Sequence, residues 1–171
     1  MKIIFTGAEC CGKTTLAKKL SEDLNIPFVE EISRNYLKKS HGKYAYEDVL
    51  NMALLQMAEE EKIKSMFPSV LICDTDILTY KIWCEDKFHK SEKWLTEAFL
   101  MRNADIYFLC KPDFPWQFDP LREDAARREE LYQIYKKNLQ IAHKPFIELE
   151  GNLQERIKQV KNYLFPSGGM Y

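Results

Sequence analysis

The feature that most constrains this chain is a nine-residue segment near its start, Gly7-Ala8-Glu9-Cys10-Cys11-Gly12-Lys13-Thr14-Thr15. Its spacing is G-x-x-x-x-G-K-T, and it stands between an apolar run at residues 2–6 and a helical apolar pattern at residues 14–24. In that setting the loop amides and the N-terminus of the following helix point at one anion. The segment therefore predicts a phosphate-binding loop for ATP, with Lys13 on the β- and γ-phosphates and Thr14 as a Mg²⁺ ligand.

Apolar strand-like runs alternate with helical patterns along the rest of the sequence. Strands are predicted at residues 2–6, 27–30, 69–73, 105–110 and 145–149. Helices are predicted at residues 14–24, from 46 to about 64, around 78–83, at 94–101, from the charged run 121–128 to 141, and at 153–164. With the loop, this alternation predicts an α/β fold of three layers, namely a P-loop NTPase fold with a mainly parallel five-stranded sheet and a short lid. We expect one domain at residues 1–165 and a loose tail at residues 166–171.

Composition narrows the partners that such a domain can have. The net charge of −1 over 171 residues argues against a broad basic face for nucleic acid. No run of apolar residues is long enough to span a membrane, and the first strand leads directly into the loop, so we expect neither a membrane segment nor a cleaved signal. The five cysteines include no C-x-x-C pair, which favours reduced thiols and a cytoplasmic protein.

Two aspartates, Asp74 and Asp76, follow the predicted central strand. A nucleotide enzyme places its Mg²⁺-organising aspartate at such a strand end, and Asp74 is the candidate, with a helix N-cap as the alternative. Asp76 is either that N-cap or a catalytic residue that holds an acceptor hydroxyl, and the sequence does not separate these roles. Thr75 occupies the position at which many motor ATPases carry a water-polarising glutamate, so the sequence favours transfer to a bound hydroxyl.

Three arginines follow the fourth strand in a proline-rich, charged segment: Arg122, Arg127 and Arg128. Guanidinium groups on a lid of this kind neutralise charge on the transferred phosphoryl group, while the closed lid excludes water. The alternative is a solvated helix face on which they pair with neighbouring carboxylates. Arg122 and Arg128 are the candidate catalytic arginines, although the sequence does not tell Arg128 from Arg127.

Candidate acceptor-binding residues follow the second and fourth strands. Glu31 and Arg34 come after the second strand, where open α/β sheets bind ligands. Glu31 could hold a sugar hydroxyl or act as a general base, or it could be charge in the first turn of a helix. Trp116 could stack on a flat ring, or it could anchor its loop on the core.

Several of these segments recur together in one family. They are the loop at residues 7–15, Glu31-Ile32-Ser33-Arg34, Asp74-Thr75-Asp76, and Trp116 followed by Asp119-Pro120-Leu121-Arg122. In this order they resemble the ribosylnicotinamide kinase domain family of bacterial NAD biosynthesis. The resemblance implies phosphorylation of the 5′-hydroxyl of nicotinamide riboside, a small nucleoside acceptor, with ATP and Mg²⁺, and it adds Asp119 to the acceptor-binding residues. The alternatives are a kinase for another nucleoside or small metabolite, and a nucleotide-binding regulatory module with little phosphotransfer.

Overall fold

A computed structural model describes residues 1–102, 104–121 and 123–166. Five strands and seven helices alternate along these residues. The strands are β1 (Lys2–Thr6), β2 (Phe28–Val29), β3 (Leu71–Asp74), β4 (Ile106–Cys110) and β5 (Phe146–Leu149). The helices are α1 (Lys13–Leu24), α2 (Ile32–Lys39), α3 (Tyr46–Met66), α4 (Ile77–Phe88), α5 (Lys93–Met101), α6 (Arg128–Ile141) and α7 (Leu153–Leu164).

The strands form one parallel sheet in the order β2-β3-β1-β4-β5, which confirms the predicted fold. Because β1 pairs with both β3 and β4, the strand order reverses at β1, and a ligand crevice is expected there. The register sets Phe5 beside Asp74 and Thr6 beside Leu109. The loop that follows β1 and the residues that follow β3 therefore leave the sheet side by side.

Two buried apolar clusters lie on opposite faces of the sheet, because successive strand side chains point to opposite faces. On β1, for example, Ile4 belongs to one cluster, while Ile3 and Phe5 belong to the other. Helices α1 and α7 cover the face of Ile3 and Phe5, and helices α2 to α6 contribute to the other cluster. The result is the three-layer arrangement that the sequence predicts.

The boundaries of two elements differ from the sequence prediction. Helix α6 begins at Arg128, the last residue of the charged run 121–128, and not at the start of that run. Residues 125–127 form a turn in which the Arg127 amide donates to the Asp124 carbonyl. Helix α2 occupies residues for which no element was predicted, and it buries only Ser33 and Leu37. Of the predicted tail at residues 166–171, only Pro166 is described, so the tail stays a prediction.

None of the helices in the described part of the chain combines the length and the apolar character that crossing a bilayer requires.

Candidate active site

The phosphate-binding loop has a backbone that requires glycine at two positions. Gly7 has φ of 130° and Gly12 has φ of 81°, both in the range that L side chains rarely adopt. A Cβ on Gly7 would lie 2.8 Å from the Cys110 carbonyl oxygen, and one on Gly12 would lie 2.9 Å from the Phe114 ring. Since α1 begins immediately after Gly12, the free amides of its first turn belong to the loop, which makes the loop an anion site.

The Lys13 side chain folds back into this loop. Its Nζ donates to the carbonyl oxygens of Gly7 at 2.9 Å and Ala8 at 2.7 Å. Burial acts to lower the pKa of Lys13, but the charges of Cys11 and Glu31 outweigh it, so the pKa lies above its ordinary value. The loop therefore holds a permanent cation whose present partners are weak backbone acceptors, and an anionic phosphate would be a stronger partner.

The Asp74 carboxylate is fully buried at the end of β3. Neither of its oxygens makes a hydrogen bond of ordinary geometry with a described residue. Burial raises the pKa of Asp74 to about 7, the charge of Glu31 adds to the rise, and Lys13 and the Thr14 hydroxyl oppose it. A buried carboxylate without strong partners is destabilising by itself, which indicates that a ligand completes the site.

The donor set around Asp74 fits Mg²⁺. This ion prefers oxygen ligands and is commonly held by one or two protein groups together with substrate phosphates and water. The Asp74 carboxylate and the Thr14 hydroxyl are such groups, and they lie beside the loop. The described residues contain no cluster of three or more His, Cys, Asp or Glu that could hold a metal without a nucleotide.

Asp74→Asn should stabilise the nucleotide-free protein above about pH 7. The carboxyl ionises near pH 4 in the unfolded chain, whereas its pKa is about 7 in the folded protein. Between these values the folded state binds the extra proton, so the free energy of unfolding falls as the pH rises. Asparagine does not titrate. The variant should therefore keep about 1 kcal/mol or more of unfolding free energy that the wild type loses as the pH rises. Denaturant unfolding at about pH 4.5 and about pH 8 measures this difference, and a wild type that gains stability relative to the variant on going to high pH would contradict it.

A cavity of about 200 Å³ opens beside the loop. Its wall comprises the loop itself, the residues after β2, one side of α4, and parts of α6 and of the segment after β4. We call the segment 112–127 the lid segment. The cavity is therefore continuous with the phosphate site, and a molecule in it would lie next to a phosphate held by Lys13.

Three of the predicted acceptor-binding residues come together at this cavity. Glu31 and Arg34 line it, and the Arg34 guanidinium is 3.1 Å from the carboxylate of Asp119. The Glu31 carboxylate accepts a hydrogen bond from the Ser33 hydroxyl. It also lies close enough to Lys13 to raise the pKa of that lysine. Glu31 is therefore a carboxylate between this cavity and the phosphate loop.

Asp76 is directed away from this cavity. Its buried carboxylate accepts hydrogen bonds from the Leu78 amide at 3.1 Å and from the Tyr107 hydroxyl at 2.7 Å. It is the N-cap of α4, which was the alternative interpretation. The geometry does not support the acceptor-binding or catalytic role predicted for Asp76, because its oxygens already serve the helix and the core.

Trp116 is also absent from the lining of the cavity. Its ring is 5.8 Å from the guanidinium of Arg128. Three other aromatic residues, Tyr44, Trp83 and Tyr135, line the cavity instead. The rings of Tyr44 and Trp83 meet edge to face with their centroids 5.0 Å apart. No motif or spacing pointed to Tyr44, and Trp83 stood in an apolar helical pattern that is typical of a core.

The structure distinguishes the two neighbouring lid arginines. Arg128 donates to the carbonyl oxygens of Cys10 at 3.3 Å and Phe114 at 2.8 Å, so its guanidinium reaches the phosphate loop. Arg127 pairs instead with Asp86 at 2.6 Å and with Glu130 at 2.9 Å. Arg128 is therefore the arginine of this pair that can approach a bound phosphate. Arg122, the other candidate catalytic arginine, lies outside the described residues.

The lid segment rests on the phosphate loop through Glu9. Its carboxylate accepts from the amides of Glu123 at 3.0 Å and Asp124 at 3.2 Å. Burial raises the pKa of Glu9, and the hydrogen bond from the Asp124 amide opposes the rise. These bonds bring the second half of the lid segment to the edge of the cavity.

Arg156 on α7 is another residue of the site that was not predicted from the sequence. It is 1% exposed and donates to the carbonyl oxygens of Cys11 at 2.7 Å, Lys111 at 2.9 Å and Gly151 at 2.9 Å. Its guanidinium lies 4.6 Å from the centre of the Phe114 ring. Arg156 thus fixes the phosphate loop to the start of the lid segment. The available signal was its position one residue before Ile157, within the buried stripe of α7.

The parallel sheet and the glycine loop with its buried lysine define a P-loop nucleotide-binding domain. Residues 2–156 match the family described as AAA domain, and the chain belongs to that family. A comparison with curated protein sequences found no match.

Solved structures of NadR and of two kinases share the fold. A NadR protein in complex with NAD and AMP-PNP superposes with a TM-score of 0.78 at 19% identity, covering 95% of this chain and 49% of that one. This chain therefore spans about half the length of NadR. Deoxyadenosine kinase from M. mycoides with bound dATP gives a TM-score of 0.58 at 15% identity, covering 96% of this chain and 98% of the kinase. Thymidylate kinase from Ehrlichia chaffeensis superposes with a TM-score of 0.62 at 21% identity, covering 96% of this chain and 98% of the kinase.

Proposed function

We propose that this protein is an ATP-dependent kinase that phosphorylates the 5′-hydroxyl of nicotinamide riboside to give nicotinamide mononucleotide. The observation that carries the proposal is the cavity of about 200 Å³ beside the loop, which we call the acceptor cavity. It joins the phosphate loop and is lined by aromatic and acidic side chains. The structural neighbours supply the general class, since NadR, deoxyadenosine kinase and thymidylate kinase share the fold.

In this proposal the phosphates of ATP lie in the loop at residues 7–15. Lys13 neutralises the β- and γ-phosphates, and the charges of Cys11 and Glu31 hold the pKa of Lys13 above its ordinary value, so that its side chain stays charged. Thr14 and Asp74 would hold Mg²⁺, which supplies neutralisation of the phosphate charge when bound. Arg128 reaches the loop from the first turn of α6, and Arg122 remains the predicted arginine of the lid segment.

The nucleoside half of ATP fits a second cavity of about 240 Å³ on the α7 side of the loop. Cys10, Thr15, Phe114 and Gln117 line this cavity together with Arg156. It shares residues of the loop with the acceptor cavity. A nucleotide that spans the loop could therefore hold its base in the second cavity and present its terminal phosphate to the first.

The lining of the acceptor cavity suits a flat cationic ring. Nicotinamide riboside carries its positive charge on the pyridinium ring, and aromatic faces attract such cations. Tyr44 and Trp83 supply aromatic surface. Among the residues that the structure describes, five carboxylates and three basic side chains line the cavity, namely Glu9, Glu31, Asp86, Glu123, Asp124, Lys13, Arg34 and Lys87. This balance favours a cation over the neutral bases of common nucleosides.

Glu31 is the proposed general base for the attacking hydroxyl. Phosphoryl transfer needs this hydroxyl in line with the γ-phosphate and partly relieved of its proton. The Glu31 carboxylate lies between the cavity and Lys13, and the Ser33 hydroxyl fixes its orientation. Arg34, held by Asp119, would then face the ribose as a hydrogen-bond donor. No role in the reaction is proposed for Asp76 or Trp116.

A panel of acceptors tests the proposal. Purified protein with Mg-ATP should convert nicotinamide riboside with kcat/KM at least about tenfold above that of uridine, thymidine, adenosine or deoxyadenosine. Coupled detection of ADP and chromatography of the product measure the rates. A strong preference for another nucleoside would leave a kinase with a different substrate. ATP binding without any phosphorylated acceptor would favour the regulatory module.

A further inference from the structure

Thr75 has a backbone conformation that is unusual for its residue type. Its φ is 78°, in the left-handed region, where a β-branched residue is a genuine outlier. The structure holds this conformation from both sides. The Thr75 amide donates to the Phe5 carbonyl at 2.9 Å, and the next residue, Asp76, is fixed as the N-cap of α4. A glycine would adopt the same backbone without strain.

The Thr75 side chain carries a second unfavourable feature. The residue is 1% exposed, and its hydroxyl has no hydrogen-bond partner among the described residues. It nevertheless lines the acceptor cavity. The hydroxyl of Thr79, on the same wall, differs because it accepts a hydrogen bond from Tyr135 at 3.1 Å. Strain and an unsatisfied hydroxyl at one residue both destabilise the fold, and such combinations are typical of functional sites.

The surroundings of Thr75 indicate what its hydroxyl would bind. The transferred phosphoryl group must pass from the loop into the cavity, close to the carboxylates of Glu31 and Asp74 and near the cation of Lys13. A further carboxylate at position 75 would repel this group, whereas a neutral hydroxyl can donate a hydrogen bond to it. Since the Thr75 hydroxyl makes no other bond with a described residue, its proton is available for that purpose.

We propose that Thr75 is a catalytic residue whose hydroxyl donates a hydrogen bond to an oxygen of the phosphoryl group during transfer. The bond stabilises the transition state and leaves the proton on Thr75, so no proton moves through this residue. The inference rests on the proposed phosphoryl transfer, but it does not depend on which acceptor is used.

Three substitutions separate the hydroxyl from the backbone strain. Thr75→Val removes the hydroxyl and keeps the shape, Thr75→Ser keeps the hydroxyl, and Thr75→Gly removes both the hydroxyl and the strain. We expect kcat to fall by about 10-fold to 10²-fold in Thr75→Val and Thr75→Gly, with KM for ATP within about threefold of the wild type. Thr75→Ser should restore most of the activity, and Thr96→Val on α5, far from the site, serves as the matched control.

The melting temperature distinguishes a catalytic role of Thr75 from a merely structural one, because the two roles predict opposite shifts in Thr75→Gly. Thr75→Gly should melt at a higher temperature than the wild type, because it relieves strain and removes a buried unpaired hydroxyl. A lower melting temperature of Thr75→Gly, with Thr75→Val as active as the wild type, would show that Thr75 only supports the fold.

A transition-state analogue makes the test independent of the acceptor. Fluoroaluminate with Mg-ADP imitates the phosphoryl group in transfer, so Thr75→Val should bind this complex at least about tenfold more weakly while binding Mg-ADP like the wild type. If the wild type phosphorylates no nucleoside but this difference is found, the proposed acceptor fails and the role of Thr75 stands. Equal binding of the fluoroaluminate complex by Thr75→Val and the wild type would overturn the role of Thr75, whatever the acceptor.

Discussion

Lys13→Ala should lower the rate of phosphoryl transfer by on the order of 10³-fold, because the loop then loses the only cation that it encloses among its own residues 7–15. In the structure the Lys13 ammonium donates to the carbonyl oxygens of Gly7 and Ala8, which are uncharged acceptors. A triphosphate offers anionic oxygens at the same place, and hydrogen bonds between charged partners are about twice as strong as neutral ones. The interaction grows as charge develops on the β–γ bridge, so the loss should appear mainly in kcat.

A lysine on the same helix supplies the matched control. Lys19 is exposed and pairs with Asp23 at 2.7 Å, one turn further along α1. Lys19→Ala should therefore leave turnover within about twofold of the wild type, since exposed pairs of this kind contribute little. Initial rates with saturating acceptor, and titration with a nonhydrolysable ATP analogue, separate turnover from binding. Turnover in Lys13→Ala close to that of Lys19→Ala would contradict the assignment of the phosphate site.

The fold and the phosphate site could be predicted because their signals are local. A strand, a glycine loop and a helix adjoin each other in sequence, and the Cys110 carbonyl leaves no room for a side chain at Gly7. The strands were predictable for a related reason. Those buried on both faces are continuous apolar runs, such as Ile106–Cys110. The parallel order then follows from the alternation of strands and helices.

The acceptor side was predictable only in part, because it depends on tertiary contacts. Glu31 and Arg34 follow a strand, and strand ends meet at one edge of the sheet, so their convergence could be foreseen. Tyr44 precedes α3 and Trp83 lies within α4, and no sequence spacing relates them to each other. Asp76 and Trp116 were predicted as acceptor-binding residues from their type, their position and the family resemblance. Neither lines the cavity, since Asp76 accepts from Tyr107 and the Trp116 ring lies beside Arg128.

Arg156 and Thr75 show why some site residues escape prediction from sequence. A buried arginine on an apolar helix face resembles an ordinary surface charge until its acceptors are known, which here are three carbonyl oxygens and the carboxylate of Asp113. The sequence singled out Thr75 only because it stands where many motor ATPases carry a glutamate. Its left-handed backbone is imposed by the register of β3 against β1 and by the start of α4, neither of which its own identity encodes.

Glu31→Gln should lower kcat by about 10²-fold or more, within the range that positioned general bases contribute. Glutamine keeps the size of the side chain and an acceptor for the Ser33 hydroxyl, so the local structure should persist. It removes the negative charge that can take a proton from the attacking hydroxyl. The adjacent Glu30 is exposed and pairs with Lys18 at 2.9 Å, which makes Glu30→Gln the matched control with nearly unchanged turnover.

The loss of turnover in Glu31→Gln should not be accompanied by weaker binding of Mg-nucleotide. In the wild type the charge of Glu31 is one of the causes that raise the pKa of Asp74, second to burial. Without that charge, Asp74 ionises more readily near neutral pH and becomes a better ligand for Mg²⁺. Glu31→Gln should therefore bind Mg-ATP as tightly as the wild type or more tightly, while it turns over more slowly. Isothermal titration with a nonhydrolysable analogue and initial rates with the best acceptor measure the two effects. Weaker Mg-nucleotide binding by Glu31→Gln would place Glu31 in the nucleotide site, and an effect confined to the KM of the acceptor would make it a binding residue without a role as base.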